Sequence, residues 1–379
     1  MRVLFWAELY PPHRGGAEQL AARLARGLQE RGHDLMVVTS HDTLDLADEE
    51  MLDGVAVRRF PFRAALRGGD AGAILETRLK LARLRRRFDP HLIHLFFVGP
   101  SAFFYLTDGG TRAMPSVLTL HGEVLRGGAG GSDSTLEKTM RAVTWITAVS
   151  QAVLQAARQM APEIADRSSV LYSRLPAPEP TRAVRDSAVR DAEHPLFVCV
   201  GRLISDKGFD LAIRAFSTLA PSVPAARLAI AGVGPARAEL ETLRDTLGLR
   251  DRVEFLGWLE SDQVPDLLSR ATAVLIPSRR EGLSLVAIQS AQLATPVIAT
   301  TVGGLPEVVA HHETGLLIPP ADPAALTDAL SHLLQHPDEA TRLGRNAQSR
   351  AEQLFGWNPY LDAMEALYRE VVESADVFP

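Results

Sequence analysis

Short apolar runs alternate with helix-forming stretches along this chain, break once at Leu175–Pro195, and then resume. That single interruption of a repeating strand-and-helix pattern constrains the fold most. RVLFWA at the start is a compact β-rich run, LYPPHRGG is turn-rich, and GAEQLAARLARGLQERG follows at helical spacing. Leu20, Leu24 and Leu28 lie one turn apart, with Ala17 and Ala21 beside them, and Gly32 is placed to close the helix. LMVVTS reads as the next buried strand. Strand, glycine loop, helix and strand form a βαβ unit, which requires a parallel sheet covered on both faces. Further strands are expected at LIHLFFV, SVLTLHG and TWITAVS.

The break, LPAPEPTRAVRDSAVRDAEHP, is proline-rich and charged with no apolar period, as expected of a linker. Beyond it LFVCVGRL, ARLAIAG, VEFLG, AVLIPS, PVIAT and GLLIPP read as strands, and PYLDAMEALYREVVE as a last helix after FGWNP. At 379 residues the chain exceeds one ordinary core. The expected division is therefore residues 1–176, a linker at 177–195, and residues 196–355. Two doubly wound domains bind ligands in crevices at the carboxyl ends of their strands, so the functional residues should sit in the loops that follow strands.

Composition narrows the function classes. Forty basic against forty-six acidic residues give a net charge of −6, which argues against a general nucleic-acid binder. The one cysteine, Cys199, lies inside an apolar run and cannot form an intramolecular disulfide, so a reducing compartment is expected. No apolar stretch approaches the ~18 residues needed to span a bilayer, and MRVLFWAELYPP reads as a first strand rather than a signal peptide. The expected location is cytoplasmic.

Four strand-following loops carry unusual chemistry. Gly15 and Gly16 open a helix, where bare N–H groups suit an anionic oxygen; the plain alternative is a tight turn, and the spacing fails the dinucleotide-binding GxGxxG pattern. In GRLISDKG, Arg202 and Lys207 follow a buried strand, and two cations there suggest a diphosphate, although either could be a solvated surface charge. In PSRREGLSLVAIQ a helix is expected to begin near Ser284, leaving the N–H groups of Leu285 and Val286 open for phosphate. Glu281 lies just ahead of that seat and would be repelled by phosphate, so sugar hydroxyls are its natural partners. Gln289 lies roughly 7–8 Å further along the helix, at ~1.5 Å per residue, where the next moiety of an extended ligand would fall. It could instead bridge backbone groups. In TLHGE, His121 and Glu123 end a strand of the first domain. No HExxH, CxxC or DxD occurs, so no metal is expected. TVGGLPEVV repeats a glycine-then-helix pattern, with Pro306 at a favoured first-turn position.

With these residues in place, the chain resembles the retaining nucleotide-sugar glycosyltransferases of family 4. They have the GT-B fold, an α/β architecture of two Rossmann-like doubly wound domains facing each other across a cleft. The resemblance runs through GGAE, TLHGE, TAVS, GRLISDKG, AGVGP, FLGWL, PSRREGLSL, TPVIAT, GGLPEVV, GLLIPP and FGW, weak singly and specific in their order. It implies that a helix at about 356–379 packs back on the first domain. It implies that Gly16 contacts donor phosphate, with Gly15 beside it, and that Arg202 and Lys207 bind the diphosphate and stabilise the leaving group. Glu281 would hold hydroxyls of the donor sugar, and the backbone of Gly282, Leu283, Ser284 and Leu285 would complete the phosphate seat. His121 would approach the transferred sugar, and Gly234 and Leu259 would face the base. No cofactor and no enzymic nucleophile is implied; the co-substrate is a nucleoside-diphosphate sugar, UDP first and GDP next.

Two positions depart from the family. A second glutamate eight places after the first binds the nucleotide ribose, and here that place holds Gln289. VLYSRLP, Val170–Pro176, puts Tyr172, Ser173 and Arg174 where a proline-asparagine-glycine run is frequent. Competing readings are a GT-B epimerase, a sugar phosphorylase, or a non-catalytic nucleotide-sugar-binding protein, which Gln289 would permit. The acceptor, a sugar, a small metabolite or a lipid-linked glycan, would lie on the first domain, with the loop Arg126–Ser132 able to close over it. The basic stretch RLKLARLRRRF, residues 78–88, is either an ordinary solvated helix or a contact with the inner membrane surface.

Overall fold

The computed structural model describes residues 1–96, 98–112, 114–126, 134–178 and 193–376. Most of the expected linker and of the loop 126–132 lies outside the described residues, as does the side chain of Glu123. The chain divides into two compact units, Met1–Tyr172 with Asn358–Pro379, and Ser173–Trp357.

The first unit is built on an eight-stranded sheet, β1 (Arg2–Trp6), β2 (Asp34–Ser40), β3 (Glu49–Leu52), β4 (Val55–Phe60), β5 (Leu92–Leu95), β6 (Ser116–Leu120), β7 (Trp145–Ala148) and β8 (Ser168–Val170), ordered β3-β4-β2-β1-β5-β6-β7-β8. All pairings are parallel except β3 with β4. Every residue of β5 and β6 is buried, which is why these strands read as largely apolar runs, broken only by His94, Ser116 and Thr119, rather than as alternating ones. The helix Gly16–Glu30 buries Leu20, Ala21, Leu24, Ala25 and Leu28, and Gly32 follows it at φ +88°.

The antiparallel β3–β4 pair is an addition to the sequence expectation. Asp53 and Gly54 join the strands at φ 48° and 83°, the two left-handed residues of a type I′ turn. A long helix, Ala71–Phe88, follows; Asp70 caps it by accepting from the N–H groups of Gly72 and Ala73. It starts seven residues before the basic stretch that announced it. The last helix, Trp357–Asp376, packs on this unit: Tyr368 hydrogen-bonds buried His94 at 2.6 Å, and Glu365 meets His33 at 2.9 Å and Arg31 at 3.1 Å.

The second unit has six parallel strands, β9 (Leu196–Val200), β10 (Arg227–Ala231), β11 (Val253–Gly257), β12 (Ala273–Ile276), β13 (Val297–Thr300) and β14 (Gly315–Ile318), ordered β11-β10-β9-β12-β13-β14. The winding reverses direction between β9 and β12, so the topological switch point, where such sheets bind ligands, lies between the loops after those two strands. Phe197, Cys199, Phe216, Leu228, Ile230 and Leu330 lie in its core. Cys199 is fully buried and burial pushes its thiol pKa up, so it packs as a small hydrophobe. Among the described residues no helix is long and apolar enough to cross a membrane.

Candidate active site

In the second unit the expected residues gather at the switch point. The loop after β9 carries Arg202 and then a single 3-10 turn, Ser205–Lys207, ended by Gly208 at φ +66°. That glycine is required on two counts: its backbone is left-handed, and a Cβ there would lie 1.9 Å from the carbonyl oxygen of Pro277 in the loop after β12. The two loops are therefore pressed together backbone to backbone. Lys207 Nζ reaches across and donates to both oxygens of Glu281, at 3.0 and 2.7 Å. Glu281 is 9% exposed and is held further by Ser278 Oγ at 3.1 Å; Gly304 of the TVGG loop donates its N–H to the Glu281 carbonyl at 3.2 Å. Ser278 is fixed in turn through its carbonyl, which accepts from Thr300 Oγ1 at 2.6 Å. Arg202 is exposed and its guanidinium has no ion-pair partner among the described residues.

The helix after this loop runs Leu285–Gln292, with Ser284 as its cap, accepting from the Ala287 N–H at 3.2 Å. The N–H groups of Leu285 and Val286 have no intrahelical acceptor, and Gly282 and Leu283 lie just before the cap. Gln289 is 8% exposed, and its side-chain amide has no hydrogen-bond partner among the described residues. The bridging role weighed for it as a structural glutamine is absent. The loop after β10 closes onto the first: Leu203 N–H donates to Val233 O at 2.9 Å, and a Cβ on Gly234 would lie 2.4 Å from Leu203 O. Leu259 is half-buried in the loop after β11. Lys207, Glu281 and the start of the helix are thus brought together, with Gly234 on the neighbouring loop.

In the first unit His121 follows β6 and is half-buried, its ring 4.5 Å from that of Phe96. Desolvation holds its pKa down to about 4, so the imidazole is neutral at physiological pH. Neutral, it can donate one hydrogen bond without bringing a charge. Gly15 and Gly16 do start the helix Gly16–Glu30, but the Glu18 side chain folds back over them: a Cβ on Gly15 would lie 2.0 Å from Glu18 Oε2. A carboxylate already stands at this helix start, against the simple expectation of an open anion seat. Arg174, in the departing VLYSRLP segment, donates to Gly356 O at 3.2 Å within the second unit.

Sequence reasoning missed the residues that join the loops. Arg279 donates from its backbone to Asp206 O at 2.7 Å and from its guanidinium to Ser205 O at 2.8 Å, and it grips Asp210 with two bonds of 2.7 Å. The only signal for it was a second arginine in PSRREG with an aspartate three places after Lys207. Among the described residues no group of three or more His, Cys, Asp or Glu side chains could hold a metal ion.

Comparison with known proteins agrees with this geometry. Residues 14–173 match the model of Glycosyltransferase Family 4, and residues 181–350 match that of Glycosyl transferases group 1. An alpha-D-kanosaminyltransferase of Streptomyces kanamyceticus is 31% identical over 179 residues, 47% of this chain and 46% of that protein, so the match spans about half of either. Among solved structures, sucrose-phosphate synthase of Thermosynechococcus elongatus superposes with a TM-score of 0.83 at 22% identity, covering 99% of this chain and 100% of that one. HepE of Anabaena, solved with UDP and glucose, gives 0.79 at 20% identity over 98% of this chain and 100% of its own. Two Rossmann-like sheets, two family models in tandem and full-length structural neighbours of GT-B architecture place the chain among the group 1, family 4 glycosyltransferases.

Proposed function

We propose that the chain transfers a sugar from a nucleoside-diphosphate sugar, UDP-linked first and GDP-linked next, to a hydroxyl acceptor, with retention of anomeric configuration and without a metal. The observation that carries this reading is the Lys207–Glu281 pair at the switch point, beside a helix start with open N–H groups. The diphosphate sits against Lys207, Arg202 and the N–H groups of Leu285 and Val286, and the sugar hydroxyls against Glu281. The bond from the anomeric carbon to the β-phosphate oxygen breaks, the acceptor oxygen bonds to the same face, and its proton passes to the departing phosphate oxygen. Charge grows on the diphosphate, which Lys207 and Arg202 stabilise. His121, neutral and able to donate, approaches the transferred sugar. Gln289 supplies a ribose contact from an amide that has no other partner among the described residues. The Anabaena neighbour's UDP supports uracil as the first base to try.

Anomer analysis by NMR of the first-formed product tests retention. An α-linked donor should yield an α-linked product, and a β product would overturn the same-face route. Lys207→Ala should lower turnover by at least about 100-fold, the scale of removing one preorganised charge-stabilising donor.

For location, the reading is cytoplasmic with peripheral contact at the inner membrane surface through the helix Ala71–Phe88. Leu75 and Leu79 are 56% and 46% exposed there, and Arg83, Arg86 and Arg87 have no ion-pair partner among the described residues. Arg85 is not part of that face, because it turns to Asp108 at 3.4 Å. Co-sedimentation with phosphatidylglycerol vesicles should fall when Arg83, Arg86 and Arg87 are neutralised together, and binding that is absent or unchanged rejects the contact.

A further inference from the structure

We infer that Arg279, anchored by Asp210, is a positioning residue that sets the place of Lys207. Its functional consequence rests on the donor-binding reading above; the clamp itself rests on geometry alone. Lys207 stands on one 3-10 turn, and the hydrogen bonds within that turn are few: Lys207 N–H to Ile204 O at 3.0 Å and Gly208 N–H to Ser205 O at 3.1 Å. A turn this short does not hold its own position. Without a ligand its side-chain tether is the ion pair to Glu281, and the donor must loosen that pair, since diphosphate and sugar hydroxyls take the same two groups.

Arg279 holds the turn by a route that does not pass through Glu281. Its N–H and guanidinium take the carbonyls of Asp206 and Ser205, and its fork closes on Asp210 at the start of the helix Phe209–Leu219. The turn is thereby fastened to the loop after β12 on one side and to the next helix on the other. Burial disfavours the charged form of Asp210, and the Arg279 bonds outweigh it, leaving the carboxyl below its ordinary range. Two parallel bonds to a carboxylate plus one to a carbonyl use the planar geometry of guanidinium, which an ammonium cannot reproduce. Lysine at this place would keep the charge and lose the alignment.

The test combines hydrogen exchange of the full chain with UDP titration in four proteins: unaltered, Arg279→Ala, Lys207→Ala and the double variant. Asp210→Asn and Arg279→Lys serve as companions. Arg279→Ala should raise amide exchange at residues 205–208 by about tenfold or more, with the strands β9 and β12 unchanged. It should weaken UDP binding about five- to tenfold, the scale of a charge-assisted bond set out of line. Because Arg279 acts through Lys207, adding Arg279→Ala to Lys207→Ala should cost almost nothing further, and Asp210→Asn and Arg279→Lys should repeat the single effect. Unchanged exchange at 205–208 overturns the clamp. An equal loss of UDP affinity with and without Lys207 overturns the positioning role and leaves Arg279 merely structural. If the unaltered protein binds no UDP, the donor reading fails and the exchange result alone still decides the clamp.

Discussion

At the scale of single residues, Gln289 is one of two places where this chain departs from the pattern it resembles. A carboxylate would accept ribose hydroxyls with charge assistance, and an amide accepts them with roughly 1 kcal/mol less. Gln289→Glu should therefore tighten nucleotide binding by about fivefold, read by calorimetry; no change would remove the ribose contact from the account. Gly208 makes a harder demand. Gly208→Ala would force a Cβ against the Pro277 carbonyl in a left-handed backbone, so we expect a loss of about 2 kcal/mol or more in urea unfolding. A stability within 0.5 kcal/mol of the original would mean that the loops can separate. What was legible at this scale was chemistry and not distance. GRLISDKG and PSRREGLSL stood out by their charges at strand ends, but nothing in a string shows that Lys207 and Glu281, seventy-four positions apart, meet at 2.7 Å. Arg279 was passed over because an arginine in an exposed loop looks solvated until its partner Asp210 is placed.

At the scale of elements, the strands buried on both faces announced themselves. LIHL, SVLTL, WITA, LFVCV and AVLI are apolar or small apart from His94, because helices cover both sides of a parallel sheet. The edge pair β3 and β4 hid for the opposite reason. β3 alternates exposed and half-buried residues, and β4 carries Arg58 and Arg59 among its valines, so neither reads as a core strand. Only the Asp53–Gly54 step signalled a hairpin. β8, at three residues, is too short for any period. The last helix was visible as an amphipathic run, but its polar link to the core was not: Tyr368 hydrogen-bonds His94, and His94 Nε2 meets Thr119 Oγ1 at 2.8 Å. Neutral imidazole satisfies both partners with one donor and one acceptor. Tyr368→Phe should cost about 1–3 kcal/mol by leaving a buried ring nitrogen unpaired, measured by urea unfolding.

At the scale of the whole molecule, two desolvated histidines set an acid limit. His94 has its pKa pushed down to about 3 and His121 to about 4, both by desolvation, whereas an unfolded histidine titrates near 6.5. Their neutral, desolvated state contributes stability that is full above pH ~6.5 and is lost as pH falls from there toward about 4 and about 3. The melting temperature should be flat from pH 7 to 8 and fall steadily between pH 6.5 and 5. His94→Gln should flatten that fall, and an unflattened slope would assign it to other groups. The second sheet has its reversal where the cation, the carboxylate and the open helix start meet. That meeting is the central claim, and the most direct measurement of it is calorimetric titration with UDP, GDP, ADP and TDP, first in EDTA and then with magnesium. Tight binding of one diphosphate in EDTA, UDP before the others, is the predicted result, and Lys207→Ala should weaken it. Binding of none, with or without magnesium, would contradict the account and leave the pair of Lys207 and Glu281 as a salt bridge with no substrate between them.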